Sequence, residues 1–328
     1  MGTEFAPRVV HPTLPSWVQH ISERGLRLGP KGHIGLSWPG LLRHLPHSER
    51  MICVGGATFG GAGKTPVAIA LAQELAQSGA SVAFVGHGHK GRLVGPMRVT
   101  KEHPVALVGD EAWLAAGALA PFGVPVFVAP QRADAISEAA QARAVLVVDG
   151  VLQTHGGRAG LSVLLLPGAH ELTHARVFPF GDLRAAPARL RALADVSLRA
   201  DDVAFELSVR NAQGQDASLS ELRGARVGLF TAVGRPARVL QMLRGQGVQP
   251  AVHVRFADHG PVTAGPLLRA QTRERVDVWL CTDKCALHLH EPILRPWVLS
   301  VRARIPRDLT DLALALASRL PNALHGVT

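Results

Sequence analysis

The sequence predicts an α/β protein, built as a mostly parallel sheet followed by a second, smaller α/β unit. Three observations lead there. Met51–Leu75 passes from an apolar run, through a glycine-dense turn, into a segment with apolar residues at helical spacing. Short, wholly apolar runs then alternate with helical patterns along most of the chain, as do strands buried on both faces of a parallel sheet. Several runs also end in polar or acidic residues, at the strand ends where ligands of open α/β sheets bind.

The strand Met51–Val54 and the helix Pro66–Ala76 enclose Thr58-Phe59-Gly60-Gly61-Ala62-Gly63-Lys64-Thr65. This is the phosphate-binding-loop pattern with Thr58 at its first glycine position. Gly60, Gly61 and Gly63, with Ala62 among them, permit a tight turn whose backbone N–H groups face an anion. Lys64 can reach the β- and γ-phosphates and the Thr65 hydroxyl can ligate Mg²⁺. The helix N-terminus adds positive charge, and Pro66 suits its first turn. The alternative is a Gly-rich turn that merely connects strand to helix. The pattern predicts a phosphate-loop NTPase-like sheet that binds a nucleoside triphosphate.

Further strands are expected at Ser81–Val85, Val105–Val108, Val124–Val128, Ala144–Val148 and Leu161–Leu166, with helices at Ala112–Ala120 and from Arg132 to about Ala142. Phe178–Leu190 reads as a loop leading into a short helix. Val203–Val209 and the turn Asn211–Gln215 read as a two-stranded excursion at a domain boundary. The second unit has strands at Arg226–Phe230, Ala251–Phe256, Val276–Cys281 and Trp297–Val301. Its helices are Pro236–Gly245, Pro266–Glu274 and a closing Asp308–Leu320. The expected division is an N-terminal arm over 1–46, a core over 47–200 and a C-terminal unit over 201–328.

Hydrophobic residues at 47% and charged residues at 18% describe a globular chain rather than a disordered one. The net charge of +10 suggests an anionic partner, such as a phosphorylated lipid or an acidic membrane face. Its arginines are scattered and aromatics make up 5%, which argues against a nucleic-acid platform. Three cysteines (Cys53, Cys281 and Cys285) form no disulfide framework, which fits a reducing cytosol, and Cys281 and Cys285 are read as packing residues. No apolar run has transmembrane length and no signal peptide is visible at Met1. Residues 14–46 mix Trp17, Trp38, Leu41 and Leu42 with Arg and Lys; they suit either an anionic membrane surface or a packed arm.

Asp149 ends the run AVLVV, where phosphate-loop enzymes place a Mg²⁺-holding acid; otherwise it is a turn residue. Asp110 and Glu111 sit together at the end of the expected strand Val105–Val108. There they can share a metal or divide the roles of base and ligand, or one can be a helix N-cap. Asp258-His259 is an isolated acid–imidazole pair. Arg184 is either a phosphate clamp or a solvated charge. His87, His89, His288 and His290 match no strong metal spacing. In a kinase, Lys64, Thr65 and a metal-holding acid neutralise the transferred phosphoryl group, and Asp110 beside His259 serves as base.

In ordered sequence these motifs resemble the tetraacyldisaccharide 4′-kinase family, from about Met51 to Leu287. GGAGKTP is similar to its GGTGKTP, and Val108-Gly109-Asp110-Glu111 matches its VGDE. Phe178–Arg184 looks like its proline- and LR-containing segment. Ala232–Pro236, FADHGPVT (Phe256–Thr263) and TDKCA (Thr282–Ala286) are similar to its GIGNP, FPDHHPYT and TEKDA. The resemblance implies transfer of the ATP γ-phosphate, with Mg²⁺, to the 4′-hydroxyl of a tetraacylated glucosamine disaccharide 1-phosphate. That glycolipid lies at the cytoplasmic face of the inner membrane. It implies nucleotide binding by Thr58–Thr65, a base pair of Asp110 and His259, metal service by Thr65, Glu111 and Asp149, and substrate contacts from Arg184 and His89.

Four positions depart from the resembled pattern. Val148 stands where the first of two acids belongs, His89 replaces a Tyr, Ala185 an acid, and Gly260 a second His. The acceptor side is affected more than the nucleotide side. The alternatives are therefore a family kinase with a different acceptor, or a weakened nucleotide-binding regulatory protein. No NKxD motif follows, which disfavours GTP.

Overall fold

The computed structural model describes residues 9–10, 45–58, 63–88, 91–150, 152, 159–169, 176–177, 181–257, 260–289 and 294–320. It has two compact units. One is Glu206–Val301 with the N-terminal strand β1 (Val9–Val10); the other is Arg27–Phe205 with the described residues from Arg302 onward.

The larger unit is the phosphate-loop sheet. In chain order it has β2 (Met51–Gly56), α1 (Lys64–Gln77), β3 (Val82–Val85), β4 (Met97–Val99), α2 (Val105–Val108) and α3 (Asp110–Leu119). There follow β5 (Val126–Val128), α4 (Arg132–Ala142), β6 (Val145–Asp149), β7 (Leu161–Leu166), α5 (Pro187–Arg191) and β8 (Val196–Arg199). The strand order is β4-β5-β3-β6-β2-β7-β8, parallel throughout except for the antiparallel edge strand β4. Strand side chains alternate between faces. Ile52, Val54, Val145 and Val147 therefore pack with Leu71 and Leu75 of α1 and Ala115 and Leu119 of α3. Met51, Cys53, Leu146 and Val148 meet Ala135, Ile136 and Ala139 of α4 on the other face. Arg50 closes the α4 end by donating from Nε to the Ala144 carbonyl at 2.7 Å and from Nη2 to that of Ala140.

The smaller unit contains β9 (Ala204–Arg210), β10 (Asp216–Ala217), β11 (Val227–Thr231), α6 (Pro236–Gly245) and β12 (Val252–Arg255). It continues with α7 (Ala264–Glu274), β13 (Val278–Thr282), α8 (Asp283–Leu287) and β14 (Trp297–Arg304). Its strand order is β1-β12-β11-β13-β14-β9-β10. The excursion expected at Val203–Val209 is the antiparallel pair β9–β10. Leu243 of α6 packs on one face of the sheet, and Leu267 of α7 with Cys285 of α8 on the other. Cys53, Cys281 and Cys285 are all buried free thiols, which fits the reading of Cys281 and Cys285 as packing residues.

Three expectations are corrected. Val105–Val108 is one helical turn, because Pro104 and the positive-φ Gly109 bound a run too short for its periodicity to separate strand from helix. Asp110 and Glu111 therefore open a helix rather than close a strand. The closing helix α9 (Arg307–Ala317) does not stay with the smaller unit. It buries Leu309 and Ala313 in the larger unit's core, against α1. Beyond β1, the arm over 1–44 lies outside the described residues. The edge strand β4 and the strand β8 carry no recognisable signal in the sequence, being short and half exposed.

Candidate functional site

The site forms where β2, β6, α1, α3 and α4 bring their polar ends together. Gly63 caps α1 at φ 84°, a left-handed conformation that glycine adopts without a Cβ penalty. Lys64 and Thr65 therefore stand in the first turn of α1. Val54 of β2 is in register with Asp149 of β6, which puts the acid beside that turn. Alternation places Asp149 on the α1 face of the sheet and Val148 on the α4 face. Thr65 Oγ1 donates to Asp149 Oδ2 at 2.6 Å, while Asp149 Oδ1 is buried without a partner among the described residues. Gly150 follows at φ 86°, its N–H donating to the Val54 carbonyl at 2.8 Å; a Cβ there would sit 3.8 Å from Lys64 Cε.

Burial pushes the Asp149 carboxyl above the usual carboxylate range. Lys64 opposes that rise, Glu111 adds to it, and the Thr65 hydrogen bond and Arg132 draw it back. Lys64, Glu111 and Arg132 thus all lie within electrostatic reach of one acid. Arg132 opens α4, and its Nη1 donates to the carbonyls of Gly86 at 2.7 Å and Val85 at 3.3 Å. Burial lowers its guanidinium pKa, against the pull of Asp149 and Glu111. Sequence reasoning placed Gln131-Arg132 among the polar residues at strand ends and gave Arg132 no role of its own. The available signal was its place just beyond β5, on the strand-end side that carries Asp149.

Asp110 is 6% exposed, and its Oδ1 accepts the Glu111 N–H at 2.8 Å. Gly109, not Asp110, is the N-cap of α3. Arg184 is tied to the loop entrance. Its N–H donates to the Ala57 carbonyl at 2.8 Å and its Nε to the Thr58 carbonyl at 3.1 Å. Burial lowers its pKa to about 10, so it stays cationic at neutral pH. Burial pushes Cys53 up to about 12, which removes it as a nucleophile. The structure thus assembles Lys64, Thr65, Glu111 and Asp149, and joins Arg184 to Thr58. Gly60, Gly61, Ala62, His89 and His259 lie outside the described residues. Val148 and Ala185 are both buried in apolar packing, so these two departures remove acids where a carboxylate would be desolvated.

A family profile described as tetraacyldisaccharide-1-P 4′-kinase matches residues 39–320. The tetraacyldisaccharide 4′-kinase of Nitrobacter winogradskyi is 35% identical over 257 residues, covering 74% of each chain. That of Bradyrhizobium sp. (strain ORS 278) is 31% identical over 336 residues, covering 94% of this chain and 96% of the relative. The fold is similar to a crystal structure of LpxK from Aquifex aeolicus in complex with ATP. That likeness has a TM-score of 0.62 at 21% identity, over 84% of this chain and 90% of the other.

Proposed function

The chain belongs to the tetraacyldisaccharide-1-phosphate 4′-kinase family, and from that premise we propose how its site divides the work. The reaction is transfer of the ATP γ-phosphate to the 4′-hydroxyl of tetraacyldisaccharide 1-phosphate, a step of lipid A biosynthesis. The observation that carries the site reading is the Thr65–Asp149 hydrogen bond within reach of Lys64. Thr58–Thr65 cradle the triphosphate, and Lys64 holds the phosphoryl group during transfer. Thr65, the orphaned Asp149 Oδ1 and Glu111 offer the hard oxygen donors that Mg²⁺ prefers, so the residues fit that ion. When bound, Mg²⁺ supplies neutralisation of charge on the transferred group.

Asp110 is the base that takes the proton from the 4′-hydroxyl, and His259 is its partner by the family resemblance. Its burial at the start of α3 supports this, because a fixed carboxylate needs no reorganisation as the proton arrives. Arg184 serves the acceptor or its phosphate, and His89 contacts the sugar. The net charge of +10 and the Trp-bearing residues 14–46 support peripheral association with the anionic cytoplasmic face of the inner membrane. Among the described residues no helix is long and apolar enough to cross a membrane.

The test is phosphate transfer from labelled ATP to tetraacyldisaccharide 1-phosphate in detergent micelles, beside a Lys64→Ala control. Transfer that disappears in the control supports the division of roles. ATP binding without transfer would redirect the acceptor assignment.

A further inference from the structure

The entrance of the phosphate loop is laced to a distant stretch of chain. Thr58 forms an antiparallel bridge with Leu183, and the Ala57 and Thr58 carbonyls receive the backbone N–H and the Nε of Arg184. Leu183 and Ala185 are buried in one cluster with Ala57, Leu152 and Leu164, so the lacing is anchored by packing on both sides. In the middle of it Thr58 is 1% exposed, and its hydroxyl finds no hydrogen-bond partner among the described residues. A buried hydroxyl without a partner is costly, and native proteins keep few of them without a functional reason.

The Thr58 carbonyl belongs to the peptide that joins Thr58 to Phe59, the first peptide of the loop. Planarity ties the direction of that carbonyl to the path the loop takes next. Arg184 Nε is therefore bonded to a carbonyl whose direction is fixed together with that of the next peptide N–H. We propose that Thr58 is a positioning residue that couples occupancy of the phosphate loop to the placement of Arg184. With nucleotide bound its hydroxyl gains a partner, and the ladder to Leu183 and Arg184 carries the change to the guanidinium. The inference rests on the reading that Thr58–Thr65 hold ATP. It adds that nucleotide binding sets the geometry of a cation more than a hundred residues away in sequence (|i−j| = 126).

Thr58→Val separates coupling from mere structure, because valine keeps the β-branched shape and removes only the unpartnered hydroxyl. A purely structural Thr58 predicts a valine variant of equal or greater stability with unchanged kinetics. Coupling predicts that kcat falls at least about tenfold while the KM for ATP moves much less, and that Thr58→Ser restores turnover. Hydrogen exchange of the full-length chain, with and without MgATP, supplies the second readout. ATP should slow exchange of the Leu183 and Arg184 amides in the parent chain and in Thr58→Ser, but not in Thr58→Val. Unchanged kcat in Thr58→Val, or no ATP-dependent slowing in the parent chain, overturns the proposal. Lys64→Ala distinguishes the two levels. If it keeps full ATP affinity and turnover, the loop is not the nucleotide site and the coupling falls with it. If it is impaired while Thr58→Val is silent, only the coupling fails.

Discussion

The two units use one architecture, a largely parallel sheet with helices on both faces, but treat their buried polar groups differently. In the smaller unit, two pairs of buried polar side chains satisfy each other. Thr231 Oγ1 and His253 Nε2 are 2.8 Å apart, and Thr282 Oγ1 and Cys285 Sγ 3.0 Å apart. In the larger unit, the Thr58 hydroxyl and Asp149 Oδ1 are buried at the loop-bearing ends of the strands without partners among the described residues. Ser81 Oγ is also orphaned there, but just before β3, at the opposite end of its strand from the loop. Satisfied polar groups stabilise a fold. Unsatisfied ones clustered at strand ends mark where a ligand completes the bonding.

The contrast breaks first at Asp149. Asp149→Asn should lower phosphate transfer by about 10²-fold or more, the scale for losing a group that organises transition-state charge. Its melting temperature should hold or rise, because the desolvated carboxylate is gone. A transfer assay beside a thermal melt would reveal any parallel loss of both, which would make Asp149 a structural acid after all. Gly150→Ala comes next. The side chain forced to φ 86° should cost ~1–2 kcal/mol in denaturant unfolding.

His253 sharpens the contrast from the other unit. Burial, with Arg255 nearby, lowers its pKa to about 4, so the folded unit holds it neutral while the unfolded chain titrates near the ordinary histidine value of 6.5. The unfolded state then binds more protons below that value, and stability is lost as pH falls from 6.5 toward 4. Urea unfolding should show a loss approaching ~2 kcal/mol between pH 6.5 and 5, and His253→Gln should flatten that slope. Smallest is Thr282→Ala, which removes the N-cap bond to the Cys285 N–H. It should cost ~1 kcal/mol of stability in the smaller unit and leave kcat within twofold.

Much of this was legible without coordinates because the signals are local. Glycine spacing, Lys64-Thr65 and an apolar run ending in Asp149 are each written within a few residues of sequence. The helix Pro236–Gly245 matches its expected bounds, since a proline opens it and an apolar stripe runs through it. The misread run Val105–Val108 shows the limit, because four apolar residues carry no usable period. Arg132 was legible only as a polar residue at a strand end, for another reason. Its partners are the Val85 and Gly86 carbonyls, 47 and 46 residues away, and no local pattern records them.

Sequence alone determined the fold class and the family, and it singled out the loop and the acids proposed to serve it, since these follow from residue type and short-range spacing. Tertiary structure decided which groups meet. Strand register set Asp149 on Thr65, packing returned α9 to the larger unit, and a backbone ladder placed Arg184 on Thr58. Those choices depend on contacts between residues far apart in the chain, and such contacts exist only once the sheet has closed.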